Sequence, residues 1–403
     1  MTNVLRSIQA FNAGRDPEPL ALKYKYMRQD AFVFLRGTCH LFYQRLPDAA
    51  VLKRAPLTWV CGDLHLQNFG SYKADNRLVY FDLNDFDEGA LAPCTWDLVR
   101  FLASVQIGAT TLGVKPSQGA ALCRTFLNAY AGALVPGKAR WIERDTAEGL
   151  VRDLLTGLQS RSRKEFLDRR TVLKKGQRRI RIDGTRALPV TQTERVSVTN
   201  FMRDFARQQP HADFYNVLDI AHRVAGTGSL GVARYVILIE GKGSPHGNYL
   251  LDLKAATGSS LAPYLKTKQL RWDTQAHRVV AIQRRMQAIS MAFLQPVLIG
   301  NTAYVMRGLQ PDEDRVALDH WKGKLPRLES VLNVMGKIVA WAQLRSSGRD
   351  GSATIDELID FGQQNKWRKQ LLEVAQHCAE HVEKDWRDYA KAYDAGKFGN
   401  VAQ

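Results

Sequence analysis

The chain has 403 residues, 45% of them hydrophobic and 24% charged, which is the composition of a folded domain rather than of a disordered or fibrous chain. Lys and Arg outnumber Asp and Glu by 57 to 40, a net charge of +17. Such a field attracts polyanions: nucleotides, phosphorylated substrates or nucleic acid. No run approaches the ~18 apolar residues that cross a bilayer, and the opening "MTNVLRSIQAFNAGRDPEPL" lacks the apolar core of a signal peptide. A cytoplasmic protein without a membrane partner is expected. Five scattered cysteines, Cys39, Cys61, Cys94, Cys123 and Cys378, form no C-x-x-C pair, which fits reduced thiols and argues against zinc.

In chain order, residues 1 to about 55 read as helical, although Gly37 leaves "AFVFLRGTCHLFY" open to helix or strand. "LTWVCGD" reads as a buried strand running into a loop, and "NFGSYKADNRLVYFDLND" as a hairpin turning at "KADN". Beyond Pro93, Leu98, Phe101, Leu102 and Val105 keep the i, i+3, i+4, i+7 spacing of a helix, and "PSQGAALCRTFLNAYAGAL" predicts another. Arg161 to Arg186 is densely basic. It is either a solvated helix and linker or a docking surface for an anionic partner. From near Ala221 two apolar strands flank "GKGSPHGN", a helix is predicted up to Pro296, "TAYVMRGL" is a strand, and the remainder is helical. There "TIDE" at Thr354 to Glu357 matches a capping box.

Two stretches carry chemistry. "VCGDLHLQNFG" sets Asp63, His65 and Asn68 in one turn after a strand, and "YFDLNDFDEG" adds Asp82, Asp85, Asp87 and Glu88 at the end of the next hairpin. Phosphoryl transfer needs a carboxylate to orient or deprotonate the acceptor hydroxyl, and hard oxygen ligands for Mg²⁺. Asp63 and Asn68 have the D-x-x-x-x-N spacing of a kinase catalytic loop. "GTGSLG", Gly226 to Gly231, is a G-x-G-x-x-G that leads into a strand rather than a helix, and a later strand carries Lys254. Gly-rich loop, hairpin, strand lysine and helix is the order of a kinase small lobe. Because Asp63 precedes Gly226, the two halves are in reversed order, as in a circular permutation. His65 reads as a loop brace, and Asp87 with Glu88 as a helix start or an Arg-paired turn.

On these residues the chain resembles known proteins. "CGDLHLQNFG" is similar to the catalytic loop of aminoglycoside-phosphotransferase-like kinases, and "NDFDEGALAPCTWDLVRF" to their metal aspartate and following helix. "FVFLRGTCHLF", "GDLHLQNFG", "FDLNDFDEG", "WDLVRFLAS", "GTGSLG", "LLDLKAA", "RVVAIQRRMQ" and "LRSSG" together resemble a bacterial domain-of-unknown-function family, number twenty-two fifty-two. The resemblance implies Asp63 as base, Asn68 and Asp85 as metal ligands with Asp82 as the rival, and Asp97 as a structural brace. It further implies Gly226, Gly228, Ser229 and Gly231 over phosphate, with Lys254 pairing to it. The chain departs from this pattern in three places. Cys61 stands where a kinase has His, Ala255 follows the lysine where Glu is expected, and the helix after Lys254 has no Glu, leaving Gln283 or Gln287 as substitutes.

The expected fold is α+β, a protein-kinase-like two-lobe fold, circularly permuted. Residues 1–160 would hold the catalytic loop and metal part, 161–215 a basic linker and helix, 216–310 the small lobe, and 311–403 the helical remainder of the large lobe. The expected activity is a Mg²⁺- and ATP-dependent phosphotransferase acting on a small-molecule or protein hydroxyl, with nucleotidyl transfer open. The alternatives are a nucleotide-binding pseudokinase that regulates a partner, motivated by the missing Lys–Glu pair, and a polyanion-binding protein using Arg161 to Arg186.

Overall fold

The computed structural model describes residues 4–310 and 314–398. It is an α+β protein, 48% helix and 16% strand. Five short helices come first: α1 (Val4–Phe11), α2 (Pro17–Met27), α3 (Ala31–Gly37), α4 (Cys39–Gln44) and α5 (Ala50–Lys53). Side-chain caps start two of them. Asp16 accepts from the Glu18 amide with Pro17 at the first helical position, and Asp30 accepts from the Val33 amide. The stretch left open between helix and strand is two helices broken at Thr38. Gly37 permits the packing, since a Cβ there would lie 2.5 Å from Met27 Sδ.

Next come β1 (Leu57–Val60), the hairpin β2 (Phe69–Lys73) and β3 (Val79–Leu83), and β4 (Ala90–Pro93), which pairs antiparallel with β1. Helices α6 (Thr95–Thr111) and α7 (Pro116–Leu134) follow as the spacing predicts. Helix α6 is buried on nearly every face, as expected for an apolar helix at the centre of a bundle.

The basic stretch is a short helix and a hairpin rather than a loose linker. After α8 (Gly149–Gln159) and α9 (Arg163–Asp168) it forms a hairpin of β5 (Thr171–Lys174) and β6 (Gln177–Ile180). Several of its arginines act as staples. Arg178 is buried against Asp168 at 2.8 Å, and Arg161 reaches Asp314 at 2.6 Å. Then β7 (Ala187–Leu188), α10 (Gln192–Ala206), β8 (Val217–Arg223), β9 (Arg234–Ile239) and β10 (Tyr249–Ala255) lead to α11 (Gln275–Met286), β11 (Gln295–Ile299) and β12 (Thr302–Gly308). One six-stranded antiparallel sheet results, in the order β11-β12-β10-β9-β8-β7.

Strand alternation divides the sheet. Tyr235, Ile237, Ile239, Leu251, Leu253 and Met306 pack with Val198, Met202 and Phe205 of α10. Residues 187–206, within the segment read from sequence as a basic linker and helix, supply β7 and α10, and α10 packs on the sheet. The opposite face is apolar at one end, where Val236, Leu238 and Leu250 meet Leu167 and Ile180. At its other end it carries Arg234, Asp252 and Lys254.

The helix expected to reach Pro296 stops at Met286. The Gln287 side chain donates to the Leu83 carbonyl at 2.7 Å and the Ala288 amide to Asp82 at 3.0 Å. These bonds draw the chain onto the β2–β3 hairpin, and Pro296 then falls on β11, an edge strand that tolerates a missing donor.

Helices α12 (Leu325–Arg345), α13 (Ile355–Gln363) and α14 (Lys366–Asp394) complete the chain. The capping box at α13 is formed, Thr354 and Glu357 each accepting from the other's amide. No helix among the described residues is long and apolar enough to cross a membrane. Gly336 lets α12 close on α7, since a Cβ there would lie 2.4 Å from the Phe126 carbonyl oxygen and 3.0 Å from the Tyr130 nitrogen. Backbone cannot yield as a side chain does, so Gly336→Ala is expected to destabilise the fold by about 1–3 kcal/mol, measured by urea denaturation.

Candidate active site

The loop after β1 is shaped from beneath. Gly62 has φ +80, and a Cβ there would lie 2.3 Å from the Glu88 carbonyl oxygen, so only glycine fits. Asp97, in the first turn of α6, accepts from the Cys61 and Gly62 amides at 2.9 Å each. The Tyr43 hydroxyl donates to the Gly62 carbonyl at 2.6 Å. Burial lifts the Asp97 carboxyl to about 6 against the pull of those amides.

One turn along α6, Arg100 is fully buried and holds Asp63. Its Nε donates to Asp63 Oδ1 at 2.7 Å and its Nη2 donates to the same oxygen. Nη2 also donates to the Leu35 carbonyl at 2.9 Å. Both bonds to Asp63 converge on Oδ1, leaving Oδ2 without a bond to Arg100, and Asp63 lines the cleft. Burial raises the Asp63 pKa, and the pull of Arg100 does not fully offset it. His65 Nδ1 accepts from the Gln67 amide at 3.1 Å, and burial followed by the fields of Arg36 and Arg100 holds the ring neutral. His65 is placed as a brace.

Asn68 ties this loop to the acidic one. Its Nδ2 donates to the Asp63 carbonyl at 3.0 Å and the Asp85 carbonyl at 3.3 Å, and its Oδ1 accepts from the Asp85 amide at 2.8 Å. The amide oxygen expected to hold metal is thus already engaged in a clamp. Asp85 lines the cleft. Burial alone would raise its pKa, but Lys254 and Arg307 more than reverse this and hold the carboxyl below its ordinary range.

Asp87 forms an ion pair with Lys254, and Glu88 accepts from the Ser260 amide. Among the described residues neither starts a helix or forms an ion pair with arginine, as the sequence suggested for them. Gln283 and Gln287 do not replace the missing acid either. Gln283 donates to Gln287, and Gln287 to Leu83. The lysine's partner comes from the acidic loop. Arg278 of α11 fixes that loop by donating to the Asp87, Gly89 and Thr257 carbonyls at 2.6, 2.5 and 2.9 Å.

The facing wall is the polar end of the sheet. Asp252 is buried among three arginines, with Arg234 bidentate at 2.7 and 2.6 Å, Arg223 at 2.8 Å and Arg307 at 3.3 Å. Against the cost of burial, they hold Asp252 ionised, far below its usual range.

Above lies the Gly-rich loop, between β8 and β9. Gly226 and Gly231 have φ +78 and +84, and a Cβ on Gly228 would lie 3.1 Å from the Arg36 carbonyl oxygen. Its carbonyls are pinned by the N-terminal helices. Arg15 donates to Gly228 and Leu230 at 2.7 and 3.0 Å, buried Lys23 to Gly228 at 3.2 Å, and the Asp16 amide to Gly231 at 3.1 Å.

These parts enclose a cleft of about 1330 Å³ including its open mouth, and Asp63, His65, Asn68, Asp85, Gly226, Gly228, Ser229 and Lys254 all line it. Asp97 and Gly231 support it from behind. Asp82 lies outside the lining, because its Oδ2 accepts from Arg345 at 3.1 Å and from the Ala288 amide at 3.0 Å.

Sequence reasoning missed Arg100, Arg36 and the arginines around Asp252. Arg100 had a signal: it lies three residues after Asp97 within the otherwise apolar run "WDLVRFLASV", on the same helix face. The five cysteines are buried and free.

Carboxylates on one wall and cations on the other define a cleft suited to a polar, anionic ligand. Residues 15–392 match the family model described as "Uncharacterized protein conserved in bacteria (DUF2252)", and the chain belongs to that family. No curated protein and no solved structure gives a match.

Removing the carboxylate of Asp252 leaves buried Arg234 and half-buried Arg223 and Arg307 without that counter-charge. Asp252→Ala is expected to cost about 3–5 kcal/mol of stability, read from the shift of the denaturation midpoint.

Proposed function

We propose that the protein is a Mg²⁺- and ATP-dependent phosphotransferase acting on a hydroxyl acceptor, with a permuted kinase-like two-lobe fold. The observation that carries the reading is convergence. Asp63, Asp85 and Lys254 come from distant parts of the chain, yet all line one cleft roofed by the Gly-rich loop.

The sheet supports the fold analogy. The Gly-rich loop joins β8 to β9, Lys254 lies on the next strand, and α11 precedes β11 and β12, which is the order of parts in a kinase small lobe. Asp85-Phe86-Asp87, with Phe86 buried, parallels the D-F-G element, whose aspartate binds metal. The Lys254–Asp87 pair meets the need for a lysine-orienting acid and weakens the motive for a pseudokinase.

The donor set fits Mg²⁺ carried in by a nucleotide. Among the described residues Asp85 forms no ion pair within hydrogen-bonding distance, and no cluster of three or more His, Cys, Asp or Glu able to hold a metal occurs. Mg²⁺ typically takes one or two carboxylates and completes its shell with phosphates and water. Asp85 would hold it, and when bound it would neutralise charge on the phosphates.

The chain's own residues do the rest. Lys254 and the Gly-rich loop receive the donor's phosphates. Asp63, fixed through Oδ1 by Arg100, presents Oδ2 to the acceptor hydroxyl and takes its proton. The acceptor oxygen bonds to the γ-phosphorus as the bond to the β–γ bridging oxygen breaks, and ADP leaves. A raised pKa makes Asp63 a stronger base than an ordinary aspartate.

Thermal unfolding tests the reading. Mg²⁺ with ATP is expected to raise the Tm of the wild type while Mg²⁺ alone does not, and Asp85→Ala is expected to lose the shift. Absence of a shift with any nucleotide would refute it. Once an acceptor is in hand, Asp63→Asn is expected to keep nucleotide binding and to lower kcat by about 10²–10⁴-fold. The acidic limb of the wild-type rate profile should lie above the usual aspartate range, because activity is lost as Asp63 gains its proton.

A further inference from the structure

Arg36 differs from the other cations near the cleft. Lys254 and the sheet arginines face carboxylates, and Arg15, Lys23 and Arg278 donate to carbonyls. The Arg36 guanidinium has no hydrogen bond or ion pair among the described residues. Its Nε is buried without an acceptor, and the side chain lines the cleft. Arg315 lines the same cleft, is exposed, and likewise has no partner among the described residues.

The position of Arg36 is fixed by its neighbours. It lies in the last turn of α3, whose Leu35 carbonyl accepts from Arg100 and whose Arg36 carbonyl would lie 3.1 Å from a Cβ on Gly228. The side chain thus lies between the Asp63 loop and the Gly-rich loop. Its field reaches Asp63 and His65, and it feels Asp63, Asp85 and the repulsion of Arg315. Two like charges share this end of the cleft, and neither makes an ion pair or side-chain hydrogen bond among the described residues. A guanidinium whose Nε is buried without an acceptor is costly to keep.

We propose that Arg36 and Arg315 bind a phosphate group carried by the acceptor, beside the hydroxyl that Asp63 receives. The substrate class is a hydroxyl compound that is also a phosphate monoester. Two monocations match a dianionic phosphate in charge, and the planar guanidinium fork matches its oxygens. The inference rests on the phosphotransferase reading, in which the donor's phosphates lie against Lys254 and the Gly-rich loop, leaving Arg36 and Arg315 to the acceptor.

Calorimetric binding of inorganic phosphate and of glycerol 3-phosphate, with glycerol as the neutral control, tests it. The protein is first saturated with Mg²⁺ and the non-hydrolysable imido analogue of ATP, which fills the donor site. Wild type is expected to bind both phosphates and not glycerol. Arg36→Gln and Arg315→Gln are each expected to weaken that binding by about tenfold or more, with affinity for the ATP analogue unchanged. Arg315 is exposed, so its variant tests the site even if Arg36→Gln folds poorly.

Failure of wild type to bind either phosphate overturns the proposal, as does binding that neither variant changes. Phosphate that binds with Mg²⁺-ADP but is expelled by the imido analogue marks the position of the transferred group and overturns the acceptor assignment. If the analogue itself does not bind while phosphate binding still needs Arg36 and Arg315, the anion site stands and the phosphotransferase reading fails.

Discussion

The pair of hydrogen bonds from the Cys61 and Gly62 amides to Asp97 sets the rest of the site. They turn the chain sharply after β1 and fix the loop to α6, a helix buried in the bundle. Arg100 on the same helix then sets the position of the Asp63 carboxylate. Asp63 holds Asn68 through its carbonyl, and Asn68 holds Asp85. Asp63 and Asp85 are thus indexed to one rigid helix through a short chain of bonds. A reacting carboxylate needs this kind of support, because small errors in position cost rate steeply.

The opposite wall follows another logic. Strand alternation places Arg234, Asp252 and Lys254 on one face of neighbouring strands, and β8 and β12 add Arg223 and Arg307. This concentration of positive charge is stable because Asp252 lies at its centre and Asp85 and Asp87 face it across the cleft. The net charge of +17 is therefore not only a property of the solvated surface. Part of it is an internal field directed at the space where an anion would lie.

Much of this was legible in the sequence because it is local. The D-x-x-x-x-N loop, the hairpin after it, the apolar period of α6, the Gly-rich loop and the capping box at Thr354 each declare themselves within a dozen residues. What failed to declare itself depends on partners far along the chain. The spacing of acids in "FDLNDFDEG" could not say that Asp82 would meet Arg345 and that Asp87 would meet Lys254. Nor could helical period alone show that the chain would leave α11 at Met286, since side-chain bonds to the β2–β3 hairpin redirect it. The Arg161 to Arg186 stretch was ambiguous because composition records charge and not what neutralises it. Arg161 and Arg178 are held by acids, and Arg178 is buried.

The hold of the N-terminal helices on the Gly-rich loop has a consequence for how the protein is made. Arg15 leaves the ribosome 213 residues before Gly228, the residue whose carbonyl it grips. Asp87 likewise waits 167 residues for Lys254. Over that interval the acidic loop has no lysine to neutralise it and the first helices have no loop to cover. Contacts of such long range form late and slow folding. Helices α6 and α7 can pack on each other early, whereas α12 and α14, which complete their packing, and the far wall of the cleft are made later, so a partly synthesised chain has the acids of the site without the wall that faces them.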